Sequence, residues 1–223
     1  MDVLDVGVIG VGSMGRNHAR IYSELKSVGS LFLYDVNQKA AEEMARLHGG
    51  TVCGSVTELL SRSEAVSLCV PTRFHFQLAR EVIAAGVHVL IEKPLCSTAE
   101  EGRSLLAEIP GDIVVGVGHI ERFNPIVNEI RKIIRKPLYV EMKRHNPASA
   151  RVKGSSVVDD LMIHDIDIAL HAFFHCRPSS LVSAGDDDVA SALMRWGKTP
   201  VYLSTSRKAS KKIRMCYIEE EEF

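Results

Sequence analysis

The chain has 223 residues, 46% hydrophobic and 25% charged, enough to bury one large core or two modest ones. Its 27 Lys and Arg balance 28 Asp and Glu, which excludes an overall field favouring nucleic acid or an anionic membrane, so anion binding must be local. The five cysteines form no CxxC pair, which argues against a zinc ribbon, a redox dithiol or a disulfide scaffold; with no basic leader and no run of roughly 18 apolar residues, a soluble cytoplasmic protein is expected.

From Val3 to about Gly118, short apolar runs alternate with helical patterns. The runs are VGVIG, LFLYD, AVSLCV, HVLIE and IVVGVG; the helical stretches include Ser13–Val28, Gln38–His48, Phe74–Ala85 and Thr98–Glu108. This alternation predicts an α/β domain, a doubly wound parallel sheet with helices on both faces, over residues 1–120. The texture then changes. A helical pattern from Asn124 to Ile134 leads to the strand-like PLYVEMKRH, a long helix over Asp159–His175, and strand-like runs near 180–184, 189–195, 200–206 and 213–218. A smaller α+β domain with a mainly antiparallel sheet is predicted over 121–223.

The stretch VGVIGVGSMGRNHARIY sets Gly10, Gly12 and Gly15 in GxGxxG spacing between a predicted strand and a predicted helix. Gly10 permits the tight turn, Gly12 lets a pyrophosphate approach the backbone, and Gly15 lets helix and strand pack closely. Ser13 and Met14, inside the turn, belong to the same cradle. Asp35 closes the second predicted strand, where its carboxylate can accept from the adenosine ribose hydroxyls and repel a 2′-phosphate. NAD is therefore expected over NADP. The alternative is a glycine turn serving packing alone, with Asp35 opening the next turn.

Ligands of a doubly wound sheet collect beyond the carboxyl ends of its strands, and two unusual sequences stand there, VPTRFH and IEKP. Pro71, Thr72, His75, Glu92 and Lys93 are assigned to the cofactor site on this ground. Lys93 can also hydrogen-bond a substrate hydroxyl or stabilise a developing alkoxide; the alternative is a surface lysine in a loop.

In DDLMIHDIDIALHAFFH the residues Asp160, His164, Asp167 and His171 fall within an arc of roughly 60° on an ideal helix whose remaining circumference reads as apolar. Buried ionisable groups need partners, so the stripe is expected to face a polar site. Asp160 and His171 would stand about 16 Å apart along the axis, too far for one ion. No metal is expected.

The glycine turn, PTRFH, EKPL and the D-x-x-x-H-x-x-D pattern of Asp160, His164 and Asp167 together resemble the glucose-fructose oxidoreductase / inositol dehydrogenase (Gfo/Idh/MocA) family. The resemblance runs from the first strand to the chain end. It implies a Rossmann domain followed by a substrate domain, with Lys93, Asp160 and His164 at the positions of the family's catalytic lysine, aspartate and histidine. GHIERFNP and DLMIHDID resemble the UDP-N-acetylglucosamine 3-dehydrogenase-like branch. Arg122, Asn124, Arg144 and Arg151 are the further candidates for contact with diphosphate or sugar, since guanidinium groups bind phosphate bidentately; each arginine could equally serve a structural ion pair.

The expected function is NAD-dependent oxidation of a secondary hydroxyl on a sugar, at C3 of a UDP-activated N-acetylhexosamine. A family dehydrogenase for a free sugar or cyclitol and a non-catalytic dinucleotide-binding regulator are the alternatives. The expected partner is a small molecule, not nucleic acid or membrane, and a homo-oligomer is expected. KKIRMCYIEEEEF reads as a strand followed by four glutamates. Members of the resembled family continue beyond this point, so a truncated second domain is expected, one that aggregates or self-associates through exposed strand edges and is weakly active or inactive on sugar while NAD still binds, against the alternative of a complete sheet with a solvated acidic tail.

Overall fold

The structure, a computed structural model, describes residues 3–147 and 155–221. The chain forms two compact units, Met1–Gly118 and His119–Phe223. The change of unit falls two residues before the 120/121 boundary expected from the sequence. Among the described residues no helix is long and apolar enough to cross a membrane.

In the first unit, strands β1 (Leu4–Ile9), β2 (Val28–Tyr34), β3 (Thr51–Val52), β4 (Ala65–Leu68), β5 (His88–Ile91) and β6 (Val115–Val117) form one sheet in the order β3-β2-β1-β4-β5-β6. Every pairing is parallel. Strand order reverses between β1 and β4, the switch point at which such sheets open a crevice beyond their carboxyl ends. Continuous apolar runs suit strands covered on both sides, and Val8, Ile9, Leu33, Leu68 and Ile91 are fully buried. The helices are α1 (Ser13–Glu24), α2 (Gln38–His48), α3 (Val56–Leu60), α4 (His75–Ala84) and α5 (Ala99–Glu108). Thr98 caps α5 in a reciprocal capping box with Glu101, satisfying two helix-end donors.

Two local expectations fail for a stated reason. The helix expected to reach Val28 stops at Glu24, because Val28 is drawn into β2 and pairs with Leu4. The short β3 and α3 were not expected, since two and five residues are too few to show a period.

The second unit contains α6 (Pro125–Ile133), β7 (Pro137–His145), a helical segment over Val158–Phe173, and β8 (Ser180–Gly185), β9 (Val189–Trp196), β10 (Thr199–Ser206) and β11 (Ile213–Glu220). The sheet order is β11-β7-β10-β9-β8, antiparallel except for the parallel pair β7/β10. Val140, Met142, Val201, Leu203, Ala192 and Met194 line the face that packs on Val157, Leu161, Met162, Ile168 and Ala169. Phe174 stacks on Trp196 with centroids 4.6 Å apart, and the indole N–H donates to the Cys176 carbonyl at 2.8 Å.

The long helix expected over Asp159–His175 is not one regular α-helix. A π-turn over Val158–Met162 precedes α7 (Ile163–Ile168), and a second π-turn over Ala169–Phe173 follows. An i→i+5 turn rotates the chain less per residue, so the ideal stripe does not survive. The Asp167 side chain is 5% exposed whereas that of His171 is 54% exposed. The circumference is also not wholly apolar, because Asp165 is buried at 4% exposure. The terminal glutamates are likewise not simply a solvated tail. Glu219 and Glu220 belong to β11, and the Glu220 carboxylate accepts from the backbone N–H of Arg135 and Lys136, the latter at 2.8 Å.

Candidate functional site

The glycine turn shows which of its residues the fold itself demands. Gly10 has φ +87°, a conformation that disfavours a side chain, and its N–H donates to the Tyr34 carbonyl at 2.8 Å. A Cβ on Gly15 would run into the Gly10 carbonyl oxygen. Gly12 is different. It is the N-cap of α1 with an ordinary φ of −66°, and a Cβ there would meet nothing within 4 Å. The fold leaves a Ser or Asp cap possible here, yet the cap has no side chain and the first turn of α1 has no acidic residue. The open N–H groups of a 12-residue helix and the space above Gly12 fit the pyrophosphate of a dinucleotide. Ser13 is exposed and Met14 half-buried beside it.

Asp35 stands just past the end of β2. Its carboxylate accepts from the N–H of Val11 and of Asn37, each at 2.8 Å, and so ties the glycine loop to the second strand. An ionised carboxylate has about four acceptor positions, so ribose hydroxyls can still be received. The residue is half-buried. These features fit the adenosine ribose of NAD.

Beyond β4, Pro71 is exposed and Thr72 opens a short 3-10 turn. His75, assigned to the cofactor from its position, is 1% exposed, and its ring nitrogens lie 2.9 Å from the Pro94 carbonyl and 2.8 Å from the Val70 carbonyl. The side chain therefore joins two loops of the unit and is not available to a ligand. Glu92 is 6% exposed, with Oε1 2.9 Å from His18 Nε2 and Oε2 accepting from the Lys93 N–H at 3.3 Å. Lys93 follows β5 and is half-buried.

In the second unit Asp160 and His164 are half-buried. Asp160 Oδ2 lies 3.8 Å from the Nε of Arg207, a mostly buried side chain just past β10 whose Nη2 donates to the Ser155 carbonyl at 2.5 Å. Asp167 accepts two bonds from Arg122, at 2.7 and 2.6 Å. Those bonds push the Arg122 pKa up, against its partial burial. His119 and His171 also approach Asp167, at 3.7 and 3.8 Å.

Two substrate candidates are occupied by the fold. Asn124 caps α6, accepting from the Ile126 N–H and donating to Glu121, each at 3.1 Å. Arg144 is 4% exposed and bonds Asp165 at 3.0 and 2.6 Å, with Glu121 at 3.6 Å; of the two roles its sequence allowed, the structure shows the ion pair. Arg151 lies outside the described residues. Arg207, His18, Glu121 and Asp165 were not found from sequence. His18 does stand beside the buried Ala19 on the inner face of α1, a signal of burial but not of partner.

Residues 4–124 match the GFO_IDH_MocA family, described as an oxidoreductase family with an NAD-binding Rossmann fold. The chain is 38% identical over 166 residues to UDP-N-acetylglucosamine 3-dehydrogenase of Acidithiobacillus ferrooxidans, covering 74% of this chain and 52% of that protein. It is 29% identical over 175 residues to an inositol 2-dehydrogenase of Cereibacter sphaeroides, again covering 74% and 52%. The chain thus spans about half the length of these curated relatives. Among solved structures, UDP-N-acetylglucosamine 3-dehydrogenase GnnA from Acidithiobacillus ferrooxidans superposes with a TM-score of 0.90 at 33% identity, over 99% of this chain and 75% of that one.

Proposed function

Since the chain belongs to the Gfo/Idh/MocA oxidoreductase family, with its NAD-binding Rossmann fold, we propose that it is an NAD-dependent dehydrogenase oxidising a secondary hydroxyl of a sugar. The substrate position proposed is C3 of a UDP-N-acetylhexosamine. The observation that carries the substrate class is the 38% identity to a protein named for that reaction. Support for the cofactor comes from the glycine cradle, whose Gly12 is left bare where nothing in the protein would obstruct a side chain.

When bound, NAD supplies the hydride acceptor. The chain's own residues handle the proton and the developing charge. In this reading Lys93 donates a hydrogen bond to the reacting oxygen, which becomes alkoxide-like as the carbon loses its hydride. His164 takes the hydroxyl proton, a role suited to an imidazole near neutral pH. Asp160 orients the His164 imidazole, and Arg207 steadies its carboxylate at 3.8 Å.

The test is a panel of UDP-sugars and free sugars with NAD, followed by the absorbance of the reduced nicotinamide. Turnover with UDP-N-acetylglucosamine and not with free N-acetylglucosamine supports the reading. The match to an inositol dehydrogenase favours one second reading, a cyclitol substrate, and myo-inositol belongs in the same panel. Turnover of myo-inositol alone would transfer the assignment to that class.

A further inference from the structure

Beneath the turn that presents Lys93 runs a buried polar chain that the proposed chemistry leaves unused. Tyr22 and His18 stand one turn apart on α1, Ser67 lies on β4, and Glu92 follows β5. The Tyr22 hydroxyl is 2.6 Å from Ser67 Oγ, which is 2.8 Å from His18 Nδ1. His18 Nε2 is 2.9 Å from Glu92 Oε1, and the Lys93 N–H donates to Glu92 Oε2 at 3.3 Å. Ser67 is fully buried and Glu92 is 6% exposed. Gly118, just past β6, leaves the room that the Glu92 carboxyl fills, since a Cβ there would come within 3.2 Å of it.

With a neutral imidazole, one proton arrangement satisfies every member. An ionised carboxylate only accepts, so Nε2 carries the hydrogen. Nδ1 then accepts from the Ser67 hydroxyl, whose oxygen accepts from Tyr22. The opposite tautomer would set the Nε2 lone pair against the carboxylate and leave buried groups without hydrogen-bond partners. An apolar filling of this volume would avoid the desolvation cost altogether, but would fix no direction. The chain links the helix that begins at the glycine turn to the residue before Lys93, all within one compact unit.

We propose that His18 is a positioning residue: through Glu92 it holds the Lys93 turn in fixed register with α1, so that cradle and amine keep one geometry. The proposal rests on the reading that Lys93 acts on the reacting oxygen, and its test separates the two.

The first measurement is the nitrogen chemical shifts of the His18 ring in the wild-type chain. An Nε2–H tautomer is expected, and an Nδ1–H tautomer overturns the directional chain. The second is amide hydrogen exchange. His18→Leu is expected to speed exchange at Lys93 by at least about tenfold while Val8 and Leu33, in the same sheet, are unchanged. His18→Gln, which can still donate to Glu92, restores most of the protection, and Ser67→Ala gives a smaller increase readable even where the leucine variant does not fold. Unaltered Lys93 exchange in these variants overturns the proposal. Third, with UDP-N-acetylglucosamine and NAD, His18→Leu lowers kcat while the KM for NAD stays within about twofold. If Lys93→Met abolishes turnover and the His18 variants keep full kcat, the positioning role is overturned. If Lys93→Met itself turns over normally, the catalytic reading falls alone, and the tautomer and exchange results decide the strut.

Discussion

Arg144 donates from Nε and Nη2 to one oxygen of Asp165, at 3.0 and 2.6 Å, with both side chains almost wholly buried. Neither charge is solvated, so each depends on the other. Removing Asp165 leaves the buried Arg144 with only the Glu121 carboxylate at 3.6 Å and is expected to cost about 3–5 kcal/mol, whereas replacing both by apolar residues is expected to cost far less. Chemical unfolding followed by Trp196, the chain's single tryptophan, reads this second unit directly. Asp165→Ala should be strongly destabilising and Arg144→Met/Asp165→Leu much less so; a double-variant loss equal to the sum of the two single-variant losses would show that the pair is not coupled.

Glu121 gives this unit a pH dependence of definite sign. Burial works against its ionisation, yet the Asn124 hydrogen bond and the charges of Arg144 and Arg214 outweigh it and hold the carboxyl below its ordinary 4.5. A lowered folded pKa contributes stability that is present above the unfolded value and is lost as pH falls through the folded one. Asp165 has the opposite sign: burial pushes its pKa above the ordinary 3.8 despite the Arg144 bond, so its ionisation costs stability as pH rises. Thermal unfolding of Glu121→Gln against wild type, from about neutral pH to about pH 3, should show a deficit that shrinks below 4.5. A deficit constant with pH would remove Glu121 from the account.

Gly12 separates ligand binding from folding. Serine is as good an N-cap as glycine or better, and the space around this Cβ is open, so Gly12→Ser should change stability by no more than about 0.5 kcal/mol. NAD affinity should fall by at least about tenfold, because the hydroxymethyl group occupies the approach of the pyrophosphate. Calorimetric titration with NAD checks it. Tight binding to Gly12→Ser would place the phosphates elsewhere.

Asp35 should set the choice between NAD and NADP. Asp35→Ser removes the charge that repels a 2′-phosphate, while a serine oxygen can still accept from the Asn37 N–H. Dissociation constants for both cofactors, on both proteins, should show a wild-type preference for NAD that narrows or reverses in the variant. A wild-type preference for NADP would sink the assignment.

Lys93→Met and His164→Ala are expected to lower turnover by about 10²–10⁴-fold each while leaving NAD affinity nearly unchanged, since neither side chain belongs to the cradle. Steady-state kinetics with the substrate found by the panel, alongside NAD titration, decides the matter. Full turnover in both variants would remove them from the chemistry.

What the residues determined by themselves was everything written in local chemistry. Unbroken apolar runs marked β1, β2, β4 and β5, the pattern Gln38–His48 marked α2 to the residue, and PLYVEMKRH marked β7, because side-chain period and burial on a strand or helix are set by near neighbours. The glycine spacing and Asp35 were legible for the same reason: a turn that needs φ +87° at Gly10, with no room for a Cβ at Gly15, leaves its signature within six residues. Tertiary structure alone decided partners and burial. That Arg144 meets Asp165 and not a ligand, that His75 closes on two carbonyls, that His18 reaches Glu92 across 74 positions, and that π-turns disrupt the stripe of Asp160, His164, Asp167 and His171, all depend on which strands lie side by side and where a helix rests on its sheet. A side chain's hydrogen bond is directional and only about 3 Å long, so its partner is chosen by the packing of distant segments, and no local period carries that information.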